Sequence, residues 1–208
     1  MKLPNLNLLR LGERLLMIRV KKTRASRIKQ GDIFKDIRYI KSYQEKRGVY
    51  EVDAINFPLV IVLTQDCDLE QEHNQRLKNI DAEEKNHNNY LLSILVAPLY
   101  NFEHFSGGEH LKDVDLEIVE PKMENFNTGS KSILKKIKQN ELPRYHYMDF
   151  PKDIPIIPSV IDFKHYFSVD TEIIKKEKNK KFVCSVRELY REQISLRFAN
   201  FLSRIGLP

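Results

Sequence analysis

The sequence predicts an α+β fold, mainly β: a small curved antiparallel sheet or barrel framed by an N-terminal helix and a long C-terminal helix. Three observations predict it. Apolar, β-branched and aromatic runs recur over residues 29–170 without regular alternation with helices, which disfavours a doubly wound parallel sheet. Proline and glycine punctuate those runs, as they do between short strands. Apolar stripes at helical spacing mark both ends of the chain. At 208 residues and 41% hydrophobic composition the chain can bury one core. It reads as a single domain over 1–208, with an N-terminal helix and basic arm over 1–28, a β-rich core with insertions over 29–170, and a C-terminal helix over 185–205.

Leu8, Leu11, Leu15 and Ile18 recur at helical spacing, away from Arg10, Arg14 and Lys21, and predict a short amphipathic helix running into a basic strand or arm. Gly31-Asp32 opens a strand in which Ile33 and Ile37 share a face. A basic turn, "KSYQEKRG", closes at Gly48, and "VYEVDAI" follows as a half-exposed strand. Pro58 then opens the run Leu59 to Leu63, whose lack of alternation predicts a strand buried on both faces. Residues 70–89 are almost all polar and read as a solvated excursion with at most one helical turn, carrying His73 and His87 as surface histidines.

"YLLSILVAPLY" returns to the core as a strand. Beyond the Gly107-Gly108 turn one short strand is expected near Leu116, and "SKSILKKIKQNELP" predicts a basic helix stopped before Pro143. "RYHYMDF" and "DFKHYFSVD" read as strands, while Pro151, Pro155 and Pro158 rule out a central strand between them. "IIKKEKNKK" reads as an exposed turn. Ser185 with Glu188 three residues on matches a capping box, and Leu189, Ile194, Phe198, Phe201 and Leu202 form the apolar stripe of a helix ended by Gly206 and Pro208.

The formal net charge of +6 permits a basic face, although charged residues of both signs make up 31% of the chain. Two cysteines, Cys67 and Cys184, without a CxxC pair, disfavour a disulfide framework or a cysteine zinc site and suit a reducing cytosol. The apolar runs are too short to cross a bilayer, so no membrane partner is expected and a cytoplasmic location is. Nothing in the pattern names a cofactor or a metal. His104 and His110 flank the Gly-Gly turn at a spacing that matches no strong zinc signature.

Two candidate sites emerge. In the first, Asp66, Cys67 and Asp68 end the buried strand. On a strand Asp66 and Asp68 would share a face, an arrangement able to hold a hard cation, whereas flanking carboxylates disfavour the Cys67 thiolate. The same residues equally suit a turn cap beside a small packed thiol. In the second, Arg144 and His146 share a strand face and combine a fixed charge with a titratable proton, as phosphodiester chemistry requires. The same spacing suits a strand packed beneath a helix. Buried carboxylates need partners, and no cation lies between Arg47 and Arg76, so Asp66-Cys67-Asp68 is expected to meet Arg144 or His146 in one cavity. The basic runs "RVKKTRASRIK" and "KSILKKIK" suit either a phosphate backbone or plain solvation.

The order "GDIF", "FPLVIVLTQDCDL", "YLLSILVAPLY" over residues 31–100 resembles the opening of the MazF/PemK-like toxin barrels, and the resemblance implies an SH3-like barrel. Ribonucleases of that family typically carry an arginine just before the Pro of the second strand, and Phe57 occupies that place here. The remainder resembles uncharacterised bacterial proteins sharing a strand that ends in Cys-Asp. Two function classes follow. One is a nucleic-acid-binding or partner-binding accessory module of a bacterial defence or toxin–antitoxin system, with nucleic acid, a protein partner or self-association through the C-terminal helix as its contacts. The other is a ribonuclease-like hydrolase acting through Asp66, Cys67, Asp68, Arg144 and His146.

Overall fold

In a computed structural model, which describes residues 17–116 and 128–204, the two longest strands form one hairpin. Strand β2 (Asp32–Lys46) runs into β3 (Val49–Val62) through Arg47 and Gly48, both at positive φ (54° and 77°), the geometry of a tight hairpin turn. The basic turn expected over "KSYQEKRG" is therefore mostly strand, and only its last two residues turn. Pro58 lies inside β3 opposite Asp36, where the register passes from Lys35↔Leu59 to Ile37↔Phe57 and Asp36 takes φ 55°. A proline is tolerated there because the ladder is already interrupted. A bulge at Ile40–Ser42 adds one residue to β2.

β4 (Ser93–Asn101) pairs with β3 on one edge and with a broken strand on the other. That strand comprises β6 (Ser159–Asp162), a 3-10 turn (Phe163–His165) and β7 (Phe167–Asp170). Leu99↔Ile161 and Val96↔Phe167 show the two pieces lying end to end along β4. β5 (Tyr145–Met148) lies outside β6, so β6 is interior to the sheet and starts directly after Pro158. The prolines exclude a strand only up to that residue. On the far side β8 (Phe182–Val186) pairs with β2, and β1 (Val20–Lys21) with β8. The result is a curled antiparallel half-barrel. Its first and last strands approach one another, since Met17 bridges Asp149 and the Ile18 N–H donates to the Asp149 carbonyl at 2.9 Å.

Both sheet faces are buried. Phe34, Val60, Val62, Val96 and Val160 enter one apolar cluster, and their neighbours Ile33, Ile61, Ala97 and Ile161 enter the other. This accounts for the unbroken apolar runs of β3 and β4. The first cluster is covered by α1 (Asp66–Lys78), α2 (Phe102–Ser106), α3 (Thr128–Lys138) and α4 (Thr171–Lys181), through Leu69, Phe102, Phe105, Ile137 and Ile174. The second is covered by α5 (Glu188–Leu202) through Ile194, Phe198 and Phe201.

Several expectations are corrected. Residues 66–78 are helix: Asp66 and Asp68 sit in the first turn and Arg76 and Lys78 in the last, which complements the helix dipole. "IIKKEKNKK" belongs to α4, capped by Asp170, whose carboxylate accepts from the N–H groups of Glu172 and Ile173. Ser185 belongs to β8, and the N-cap of α5 is Arg187 without a side-chain cap bond. Leu189 and Leu202 leave the expected stripe, at 75% and 51% exposure. Leu116 lies in no strand and follows a 3-10 turn over Lys112–Val114. The helix expected through Leu8, Leu11 and Leu15, and the stop at Gly206 and Pro208, lie outside the described residues. No described helix is long and apolar enough to cross a membrane.

Candidate functional site

The structure separates the residues that the sequence groups together. Asp66 and Asp68, two apart on a helix, point roughly 200° away from each other, so they do not form the shared strand face expected of them. The Asp66 carboxylate accepts both terminal nitrogens of Arg27, at 2.9 and 2.8 Å, and the Gln30 backbone N–H at 3.2 Å. Arg191 on α5 lies 3.3 Å away. Burial pushes the Asp66 carboxyl up, but the Arg27 bonds, with the charges of Arg191 and Arg27, outweigh it and hold the group below its ordinary value. Cys67 is exposed, its thiol 3.6 Å from Asp68 Oδ1 and 3.7 Å from Gln65 Oε1. It is not packed filler, and its thiol donates to the neighbouring Asp68 carboxylate. Asp68 is exposed.

His146 lies on β5, but Arg144 sits in the turn just before that strand, so the shared strand face expected of the two is not formed, and neither is among the partners of Asp66. Arg144 donates to both carboxylate oxygens of Asp162, at 2.8 and 2.6 Å. His146 is 3% exposed, packs near Phe163, and its Nδ1 has no hydrogen-bond partner. Burial, then repulsion from Arg197, drives its pKa down to about 3. It stays neutral at physiological pH, unsuited to proton transfer there. Among the described residues no group of three or more His, Cys, Asp or Glu is placed to hold a metal ion.

Among several concave sites, two have a histidine in their lining. A cleft of about 240 Å³ lies between the arm, α1 and α4, lined by Arg27, Glu72, His73, Lys175 and Lys178. Glu72 and His73 come from one face of α1, Lys175 and Lys178 from one face of α4. His73 is thus half-buried, contrary to its expected surface role. The buried Glu72 carboxylate accepts from Arg76 and from Lys175 at 3.0 Å, and Lys178 donates to the Ser26 carbonyl. Arg27, Glu72, Lys175 and Lys178 are all engaged with protein groups, which makes the cleft a clamp joining arm and helices.

The second site is a pocket of about 220 Å³ at the base of the β2–β3 hairpin, walled by Tyr39, Phe57, Tyr100, Tyr166 and Phe167 with His165 at its edge. Phe57 and Phe167 stack at 5.1 Å, and Tyr39 meets Phe167 edge-on at 5.3 Å. The Tyr100 hydroxyl and His165 Nδ1 share a hydrogen bond of 2.9 Å, with Asp162 Oδ2 3.7 Å from the same nitrogen. Burial lowers the His165 pKa, with Asp162 opposing and Arg144 and Lys164 assisting, and burial raises that of Tyr100. Aromatic walls plus a short polar edge suit a flat ring that stacks and accepts or donates one or two hydrogen bonds. The sequence singled out Arg144 but missed Asp162, and Tyr100, Tyr39 and His165 come from three distant strands and turns. Only the aromatic richness of those segments signalled them. Against known protein families, curated proteins and solved structures, the chain matches none.

Proposed function

We propose that the protein is a nucleic-acid-binding module that stacks an unpaired base in the aromatic pocket at the root of the hairpin. The pocket itself carries this reading: Tyr39 and Tyr166, 39% and 40% exposed, present ring surface to solvent above the buried Phe57 and Phe167. Single-strand recognition works by stacking splayed bases on such rings, with hydrogen bonds to base edges supplying preference. His165 and Tyr100 supply the polar edge, and the exposed Lys164 beside them together with the +6 net charge favours a phosphate backbone. The reading agrees with an accessory role in a bacterial defence or toxin–antitoxin system. The hydrolase alternative needs Asp66, Cys67, Asp68, Arg144 and His146 in one site, and it draws no support from the partners of Asp66, which are Arg27, the Gln30 amide and Arg191.

Fluorescence anisotropy with labelled single-stranded RNA and DNA homopolymers tests it. Binding that weakens with salt is expected, and Tyr39→Ala or Tyr166→Ala should each reduce affinity by about tenfold or more, the worth of one base–aromatic stack. No binding at low salt, or binding indifferent to both substitutions, would refute the pocket's role.

A further inference from the structure

The outer half of the β2–β3 hairpin projects beyond the body as a two-stranded ribbon with both faces in solvent. Register assigns its side chains to two unlike faces. One carries Tyr39, Ser42, Gln44 and Lys46 opposite Ile55, Asp53, Glu51 and Val49. Its charges are satisfied within the ribbon, Lys41 with Asp53 at 2.9 Å and Lys46 with Glu51 at 2.6 Å, and its base lines the aromatic pocket. The opposite face carries Arg38, Ile40, Tyr43 and Glu45 on β2, opposite Asn56, Ala54, Val52 and Tyr50 on β3. Here Ile40, Tyr43, Tyr50 and Val52 are 54%, 72%, 65% and 57% exposed. Arg38 and Glu45, the two charged residues of this face, have no ion-pair partner among the described residues.

We infer that this face binds the same face of a second copy of the chain, the two ribbons crossing antiparallel about a two-fold axis between the Ile40 and Tyr43 rows. This face is complementary to itself. Along β2 the order from base to tip is cation, aliphatic, aromatic, anion. A two-fold axis at its centre sets Arg38 of one copy against Glu45 of the other, Ile40 against Tyr43, and the Val52 row against Ala54. An isologous interface repeats each such contact twice, so both unpaired charges find partners while the apolar rows leave water. A heterologous partner would have no reason to match this internal symmetry. The opposite face, with the aromatic pocket, stays open, so the inference is independent of the proposed nucleic-acid role.

Sedimentation velocity on the full chain, over concentrations up to about 100 μM because a narrow ribbon buries less than the usual ~800 Å² per partner, reads the outcome. A reversible dimer is expected. Tyr43→Asp should abolish it without altering the circular-dichroism melt, since Tyr43 is a solvent-facing ribbon residue. Arg38→Glu, which sets Glu against Glu at two places, should weaken it by about tenfold or more. The exchange Arg38→Glu with Glu45→Arg should restore it to near the original affinity. A monomer at every concentration, or a dimer unmoved by Tyr43→Asp and by the single charge reversal, overturns the inference. Capture of some other protein by a monomeric chain overturns it equally.

Discussion

Arg27 holds Asp66 with two hydrogen bonds, 2.9 and 2.8 Å, across 39 residues of sequence. The pair ties the N-terminal arm to the first turn of α1 and, through Arg191, to α5. With side chains 12% and 24% exposed it is partly screened, so its loss falls below that of a fully buried pair. Asp66→Ala leaves Arg27 and the Gln30 amide unpartnered and should cost about 2–4 kcal/mol. Adding Arg27→Met should recover part of that loss, and a double-mutant cycle from urea unfolding measures the coupling. Strictly additive single losses would show that the two side chains do not act together. Because the folded Asp66 pKa is depressed, this stabilisation is present above the unfolded value of about 3.9 and is lost as pH falls through the lower folded value.

The C-terminal helix gives a contrast within one element. Phe198 is 7% exposed and meets Phe163 at 5.5 Å between ring centres, whereas Leu189 is 75% exposed. Phe198→Ala should cost about 3–5 kcal/mol and Leu189→Ala should stay within about 0.5 kcal/mol of the parent. Equal shifts in thermal melting would mean that α5 docks in another rotation.

β3, β4, α3 and α5 were legible in the sequence, because each carries an apolar pattern that matches its period. The elements missed lack that pattern. Helix α1 buries only Leu69 and Glu72, and α4 buries Thr171, Ile174 and Lys178, so their inward faces read as polar. β8 was hidden by a false capping box, since Ser185 and Glu188 have the right spacing while the Ser185 hydroxyl bonds Asp32. The site was half legible. That Asp66 needs a cation from a distant segment follows from local charge, but choosing Arg27 over Arg144 requires the fold. Asp162 draws Arg144 away.

The two cysteines should differ sharply in reactivity. Cys67 is exposed, while Cys184 is fully buried and its thiol is pushed up to about 12 by burial and then by Asp32. Ellman's reagent should label one thiol per chain quickly and the second only on unfolding. Cys67→Ser should remove the fast phase and leave stability within about 0.5 kcal/mol. Two fast thiols would contradict the packing of β8 against α5.

Two buried groups should oppose one another in pH dependence. His146 has a folded pKa of about 3 against roughly 6.5 unfolded. Between those values the unfolded chain holds the extra proton, so this group lowers stability as pH falls, by up to about 1.4 kcal/mol per unit. Asp32 is raised to about 6, chiefly by burial, with Ser185, the Lys29 amide and Lys178 opposing, against roughly 3.9 unfolded. Between those values the folded chain holds the extra proton, so this group lowers stability as pH rises. Over pH ~4–6 the two slopes cancel. Asp32→Asn should therefore expose the His146 slope, its stability climbing by about 2–3 kcal/mol from pH 4 to 6 relative to the parent. His146→Leu should expose the opposite slope of similar size. It should also be tolerated at neutral pH, because Nδ1 has no partner to lose. The double variant should return to the parent's profile. Urea unfolding at half-unit pH steps measures all four curves, and parallel curves across the series would show that neither group titrates as its surroundings require.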